Sequence, residues 1–408
     1  MTATPDPLEG LEIIDTDSHL SEPHDLWTSR ASASLHRRLP HVVEKDGRGH
    51  WVVEEDVVIG TASPASVVKK DGAKARGIEF FDWEIEDVHR ASWDMQARLE
   101  VLDRFGIRAQ VLYPNVAGFG SQNFMKVEDT DLRRLCATIY NDAMAEIQAE
   151  TGGRILPMAL VPWWKIDECA GEVARAKSLG LRGIVMCSDP DSIGLPDLGD
   201  DRWTPFWEVC QDLEMPVNFH IAASETSFNM FGRAAWPSMG MRRRLALGSA
   251  NLFMENARVI GNLLFSGVLD RFPRVKIVSV ESGIGWIPFM LEALDYEWAE
   301  TASQGEMNLA RPPSEYFKRQ VYGCFWFERT APKRLVDAIG ADNLLFETDF
   351  PHPTCLYPDV REHLAAVTAD WSEETRRKVL QDNAAKLYKV ELRNPGAAAS
   401  LPPGLAST

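Results

Sequence analysis

Eight short apolar, β-branched runs recur along the chain, each followed by a turn or polar cluster and then a helix-like stretch. They are LEIIDTDSH (11–19), AQVLYPN (109–115), ILPMALVP (155–162), GIVMCS (183–188), PVNFHIA (216–222), VKIVSVES (275–282), QVYGCFWF (320–327) and NLLFETDF (343–350). Amphipathic segments lie between them. In 94–106, Met95, Leu99, Leu102 and Phe105 recur at helical spacing and Gly106 supplies a stop. Strands that alternate with crossover helices pair in parallel, so eight such units predict an α/β fold, a (β/α)8 TIM barrel. An open doubly wound sheet is the alternative, and no G-x-G-x-x-G follows the first run to support it.

A chain of 408 residues leaves room for insertions in such a barrel. The expected domain runs over 11–390. Residues 28–93 interrupt it after the first strand and contain HVVEKDGRGHWVVEEDVVI (41–59), which reads as a hairpin turning at Asp46-Gly47-Arg48-Gly49. Residues 223–262 follow the fifth strand and are too long for a simple turn; loops of this kind at a barrel rim cover the site or build a subunit contact. The tail 394–408, NPGAAASLPPGLAST, reads as flexible.

The net charge of −17 argues against a nucleic-acid or anionic-membrane partner, either of which calls for a basic surface. No uncharged apolar stretch reaches a membrane-spanning length, and the first residues, MTATPDPLEG, carry no export signal. The six cysteines show no C-x-x-C pair and read as reduced, buried thiols. A soluble, cytoplasmic protein is expected.

The first run ends in IDTDSHLSEP, with Asp15, Asp17 and His19 at alternate positions. In a continuous strand they share one face, and acids on a buried face need a compensating cation. His220 ends the fifth predicted strand, and Asp349 and His352 close the eighth in FETDFPH. A barrel brings all strand ends to one rim, so His19, His220, His352 and Asp349 would meet there across more than 300 residues of sequence. Two imidazoles with one or two carboxylates form the ligand set of a divalent transition metal.

The D-x-H-x-x-E-P start, the His ending strand 5, LDRFPRVKIVSVESGIGWIPFMLEALD (269–295) and TDFPH (348–352) together resemble the amidohydrolase superfamily. The similarity is to its branch of aminocarboxymuconate-semialdehyde, γ-resorcylate and 5-carboxyvanillate decarboxylases, from about Ile13 to Tyr388. The resemblance implies one divalent ion, Zn or Mn with Fe as a further option, held by Asp17, His19, His220 and Asp349. A carboxylate in the first-strand pair leans toward the harder Mn. The chain departs from the family after strand 6. Glu281 takes the usual His position, and Ile284 stands where the aromatic-acid decarboxylases carry Glu.

The catalytic candidates are Asp349, Glu281 and His352. Asp349 can ligate and pass a proton, or cap a helix; Glu281 can transfer a proton if burial raises its pKa, or pair with an arginine; His352 can contact substrate, or pack in a proline turn. Glu22 and His24 are readable as ligand supports or as turn residues. Arg242, Arg243 and Arg244 form either a carboxylate clamp or a solvated helix face. Trp163, Trp164, Phe325 and Trp326 line an apolar pocket or belong to the core.

The function expected is non-oxidative decarboxylation of a small aromatic or unsaturated carboxylic acid. Metal-assisted hydrolysis of an amide, ester or C–C bond is the alternative, and a catalytically silent binding barrel is a third reading. The expected partner is a small carboxylated substrate, and the long insertions suggest a homodimer or higher homo-oligomer.

Overall fold

Each of the eight apolar runs contains strand in the computed structural model, which describes residues 6–224, 226–227, 236–301 and 309–393. In chain order the strands are β1 (Ile13–Asp15), β2 (His41–Lys45), β3 (Arg48–Val53), β4 (Val57–Thr61), β5 (Ile107–Leu112), β6 (Ile155–Pro157), β7 (Ala159–Leu160), β8 (Ile184–Val185), β9 (Val217–His220), β10 (Ile277–Val280), β11 (Val321–Phe325) and β12 (Leu344–Phe346). β5 pairs in parallel with β1 and β6, and β7 to β12 form a six-stranded parallel sheet in sequence order. These strands are buried almost throughout, as parallel strands covered on both faces should be.

Met158 alone separates β6 from β7. The first and last strands also meet beyond their ends. Thr16 N–H donates to Phe346 O at 2.9 Å, His19 N–H to Phe350 O at 2.8 Å, and Asp349 N–H to Asp17 O at 3.0 Å. On the other side, Tyr113 N–H donates to Ser18 O at 2.8 Å. Residues 16–19 are thus held between the ends of β5 and β12, which sets Asp17 and His19 against Asp349.

Helices alternate with these strands. Asp94 caps Met95–Phe105 by accepting from the Gln96 and Ala97 amides, and Gly106 ends it at φ +70°, where a side chain would be strained. The buried Arg98 of that helix donates to His19 O at 2.8 Å and to Gln110 Oε1 at 2.9 Å, tying it to the ends of β1 and β5. Asp129 caps the 21-residue helix Thr130–Glu150 in the same way.

Between β1 and Met95, β2, β3 and β4 form an antiparallel sheet. The turn is tighter than the sequence reading: Lys45 already pairs with Arg48, so only Asp46 and Gly47 turn, both at positive φ, as a two-residue hairpin requires. A third strand, β4, extends the expected hairpin. After β9 come the helices Met241–Leu252 and Asn256–Phe265. The tail expected to be flexible, 394–408, lies outside the described residues.

Candidate metal centre

Side chains from the ends of four parallel strands converge. Asp17 and His19 follow β1, His220 ends β9, Glu281 follows β10, Asp349 lies just past β12, and all five are buried. His19 Nε2 stands 3.4 Å from Asp17 Oδ1 and 3.6 Å from Asp349 Oδ1. His220 Nε2 stands 3.6 Å from Asp17 Oδ1 and 3.5 Å from Glu281 Oε2, and the two Nε2 atoms are 3.2 Å apart. Ligand atoms about 2.1 Å from one ion, at octahedral to tetrahedral angles, lie about 3.0–3.4 Å from each other. The ring of distances is close to that spacing.

The orphaned atoms also fit an ion. His220 Nδ1 bonds to Ile221 O at 2.7 Å, so Nε2 turns its lone pair inward. Asp17 Oδ1 and Oδ2 and Asp349 Oδ1 are buried with no hydrogen-bond donor among the described residues. Lone pairs and carboxylates facing one another across about 3 Å repel unless a cation sits between them. The cluster is able to hold one divalent metal ion.

Burial, and then the neighbouring Asp349 and Asp15 charges, pushes Asp17 well above the usual carboxylate range. Glu281 is raised by burial and by Asp349, Asp17 and Glu347; Glu347 is raised by burial and then Asp17. Burial holds His19 well below the ordinary imidazole value and brings His220 down to about 4. Neutral imidazoles beside acids that resist ionising favour a divalent cation. The backbone is strained at the same rim: Ala222, Glu281 and Asp349 all adopt left-handed φ, at +57°, +53° and +58°.

His352 lies over His19, ring centroids 3.5 Å apart at 11°, with Nδ1 3.3 Å from Asp349 Oδ1. Thr354 Oγ1 donates to Asp349 Oδ2 at 2.5 Å and lies 3.4 Å from Glu281 Oε1. In front is a cavity of about 440 Å3, lined by His352, Asn115, Phe119, Ile78, Phe80 and Phe81 and by Arg242, Leu245, Ala246 and Ser249 of Met241–Leu252. Phe119 covers the imidazoles, 4.3 Å from His220 and 4.9 Å from His19.

The amidohydrolase family profile matches residues 14–390. The chain belongs to the amidohydrolase family. Among curated members, it is 25% identical over 364 residues to a 2-amino-3-carboxymuconate-6-semialdehyde decarboxylase of Dictyostelium discoideum, covering 88% of this chain and 90% of the relative. It is 27% identical over 312 residues to a γ-resorcylate decarboxylase of Polaromonas, covering 72% and 86%. The solved 5-carboxyvanillate decarboxylase of Novosphingobium aromaticivorans, with bound manganese and 4-hydroxy-3-methoxy-5-nitrobenzoic acid, shares the fold at TM-score 0.65 and 20% identity, over 94% of this chain and 97% of that one.

Within this amidohydrolase, the structure brings together Asp17, His19, His220, Glu281, Asp349 and His352. For the other residues the plainer of the two sequence readings holds, Asp15 as a polar partner within the barrel among them. β1 ends at Asp15, so strict alternation stops there, and Asp15 joins no ligand group. Its carboxylate accepts from Thr348 N–H (2.8 Å), Thr348 Oγ1 (2.5 Å) and Gln110 Nε2 (2.7 Å). Glu22 accepts from the Asn115 and Val116 amides and touches no candidate ligand, and the His24 ring lies edge-on to Trp51 at 5.7 Å. Glu281 has no arginine partner among the described residues. Of the three consecutive arginines, Arg242 alone lines the cavity.

Trp163, Trp164, Phe325 and Trp326 belong to the core, the default of the two sequence readings, and line no part of the cavity. The Trp163 indole donates to Gly120 O beside Trp164, Phe325 packs on Phe346, and Trp326 packs on Phe253. Aromatics at strand ends bury between sheet and helix layers when that removes more apolar surface from water. Asn115, Phe119, Glu347 and Thr354 were not singled out. Glu347, two residues before Asp349, carried a period-two signal; Phe119, in an aperiodic loop, carried none.

Proposed function

We propose that this chain catalyses metal-dependent, non-oxidative decarboxylation of a small aromatic or unsaturated carboxylic acid, with Asp17, His19, His220 and Asp349 as the metal ligands. The reading is carried by the buried acid–imidazole cluster, whose neighbours His352 and Phe119 line a largely apolar cavity, in a chain whose curated relatives are named decarboxylases. A bound divalent ion supplies polarisation of the substrate carboxylate and a neighbouring oxygen. Phe119, Phe80 and Phe81 flank a planar ring and exclude water. Asp349, tied through Oδ2 to Thr354, delivers a proton to the carbon that bears the carboxylate. The C–C bond then breaks, its electron pair restores the ring, and CO2 leaves. Solvent then restores the proton to Asp349, beside which His352 Nδ1 stands at 3.3 Å. Glu281 fills a position where the family usually has His, and acts as a further acidic ligand or proton store.

We also infer one closed (β/α)8 barrel over 11–390, with 28–93 and 223–262 as insertions. The bonds joining β1 to β12 support it. A homo-oligomer is supported by Phe289 and Tyr296, seven residues apart on one helix and 76% and 64% exposed. Cytoplasmic residence is supported by six free, buried thiols.

The test is incubation of the manganese-loaded protein with γ-resorcylate, 5-carboxyvanillate and related hydroxylated aromatic acids. Release of CO2, with one solvent deuterium at the vacated carbon in 2H2O, is the expected result. Ester or amide cleavage without CO2 release overturns it in favour of hydrolysis.

A further inference from the structure

His220 is braced from behind by a carboxylate one peptide away. Its Nδ1 bonds to Ile221 O at 2.7 Å, and the other end of that peptide unit, the Ala222 amide, donates to Glu255 Oε2 at 2.7 Å. Glu255 is buried just before helix Asn256–Phe265, and its Oε1 accepts from the Ser227 hydroxyl. Arg258, three residues on, pairs with Asp189 at 2.6 Å instead, and no lysine or arginine among the described residues forms an ion pair with Glu255. A buried carboxylate without a cation is unfavourable, and its bonds from the Ala222 amide and Ser227 offset that. Ala222 itself sits at φ +57°, a strained conformation for alanine that the Glu255 bond helps to hold. The next residue fixes the strand ends: Asn256 Nδ2 lies 2.8 Å from Phe219 O and 3.1 Å from Val280 O, the carbonyls just before His220 and Glu281.

We propose that Glu255 is a positioning residue which, acting through the 221–222 peptide, fixes His220 with its proton on Nδ1 and its Nε2 lone pair turned toward the ion. A carboxylate or carbonyl that takes the far N–H of a ligating imidazole sets its tautomer and its aim. Here the two act in series, because a carboxylate accepting from an amide polarises the carbonyl of the same peptide. The proposal rests on the reading of this cluster as the metal centre.

The test measures manganese affinity by calorimetric titration of the full chain, and the His220 tautomer by 15N shifts in the metal-free full chain. The unmodified chain is expected to show His220 protonated on Nδ1. Glu255→Leu is expected to weaken manganese binding about tenfold or more and to let His220 populate both tautomers. Glu255→Asp retracts the carboxylate from the Ala222 amide while keeping a favoured residue at the helix start, so it decides the matter where the leucine variant does not fold. It is expected to change both readouts in the same direction, to a smaller degree. Glu255→Gln keeps an acceptor at the amide and is expected to recover most of the affinity, and Ser227→Ala, which spares the Ala222 bond, to leave the tautomer unchanged. An unchanged His220 tautomer in the leucine and aspartate variants that fold, unchanged manganese affinity in them, or His220 protonated on Nε2 in the unmodified chain overturns the proposal. If the unmodified chain binds no manganese, the metal-site reading fails, and the His220 tautomer across the same variants still decides whether Glu255 sets it.

Discussion

Asn115 accepts a hydrogen bond from His352 Nε2 at 2.8 Å, while its own Nδ2 is committed to Leu20 O at 2.6 Å. The carboxamide therefore offers its oxygen to the imidazole, which places a proton on Nε2 and turns Nδ1 toward Asp349. Glu22, accepting from the Asn115 amide at 2.7 Å, braces the loop that makes this possible. Asn115→Leu is expected to lower turnover about tenfold, the value of one lost hydrogen bond, with metal content unchanged. Steady-state rates with any acid that is turned over, and 15N shifts of His352 reporting its tautomer, check this.

Thr354 donates to Asp349 Oδ2 and leaves Oδ1 free to face His19. Thr354→Val keeps the shape and removes the donor. A fall in kcat of about tenfold or more is expected, with KM little changed, because the lost bond aims the carboxylate rather than holds substrate. A change confined to KM would contradict it.

Removing the metal is expected to lower Tm, since the ion binds the folded chain and relieves the repulsion among Asp17, Glu281 and Asp349. At a hundredfold excess over Kd the stabilisation is about 3 kcal/mol. Asp17→Asn is expected to do the reverse in metal-free protein, raising Tm while weakening manganese binding at least tenfold. Thermal melts with and without chelator, beside a manganese titration, measure both.

Burial raises the Glu22 carboxyl from its ordinary 4.5 to about 7, against the Asn115 and Val116 amides that pull it down. The folded state therefore holds this proton more tightly than the unfolded state, and stability falls as pH rises from about 4.5 to 7. The penalty is complete above 7, at most about 3 kcal/mol. Glu22→Gln is expected to flatten that slope, so its stability relative to the parent chain grows from pH 5 to pH 8. Denaturant unfolding across that range tests it, and parallel pH curves for the two proteins would refute it.

Strand positions were legible because a parallel strand buried on both faces must be apolar and β-branched, and the eight runs were. Asp17, His19, His220 and Asp349 stood out because acids and imidazoles at the ends of such runs break the apolar pattern. The Asp46-Gly47 turn was legible because few other pairs tolerate two positive φ values. Asn115 and Phe119 were not legible, since they lie on a loop whose path depends on contacts with Glu22, Leu20 and the imidazoles. Nor did composition tell which aromatics face a cavity. Trp163 and Trp326 are as apolar as Phe80 and Phe81 but lie between sheet and helices, and only the packed layers distinguish the two groups.

The most direct measurement is an anomalous difference map at the manganese edge from crystals of the full chain grown with Mn2+. One peak per chain is expected, about 2.1–2.2 Å from Asp17, His19, His220 and Asp349. No peak there, or a peak that leaves His19 or His220 beyond bonding distance, would contradict the assignment of this cluster as the metal centre.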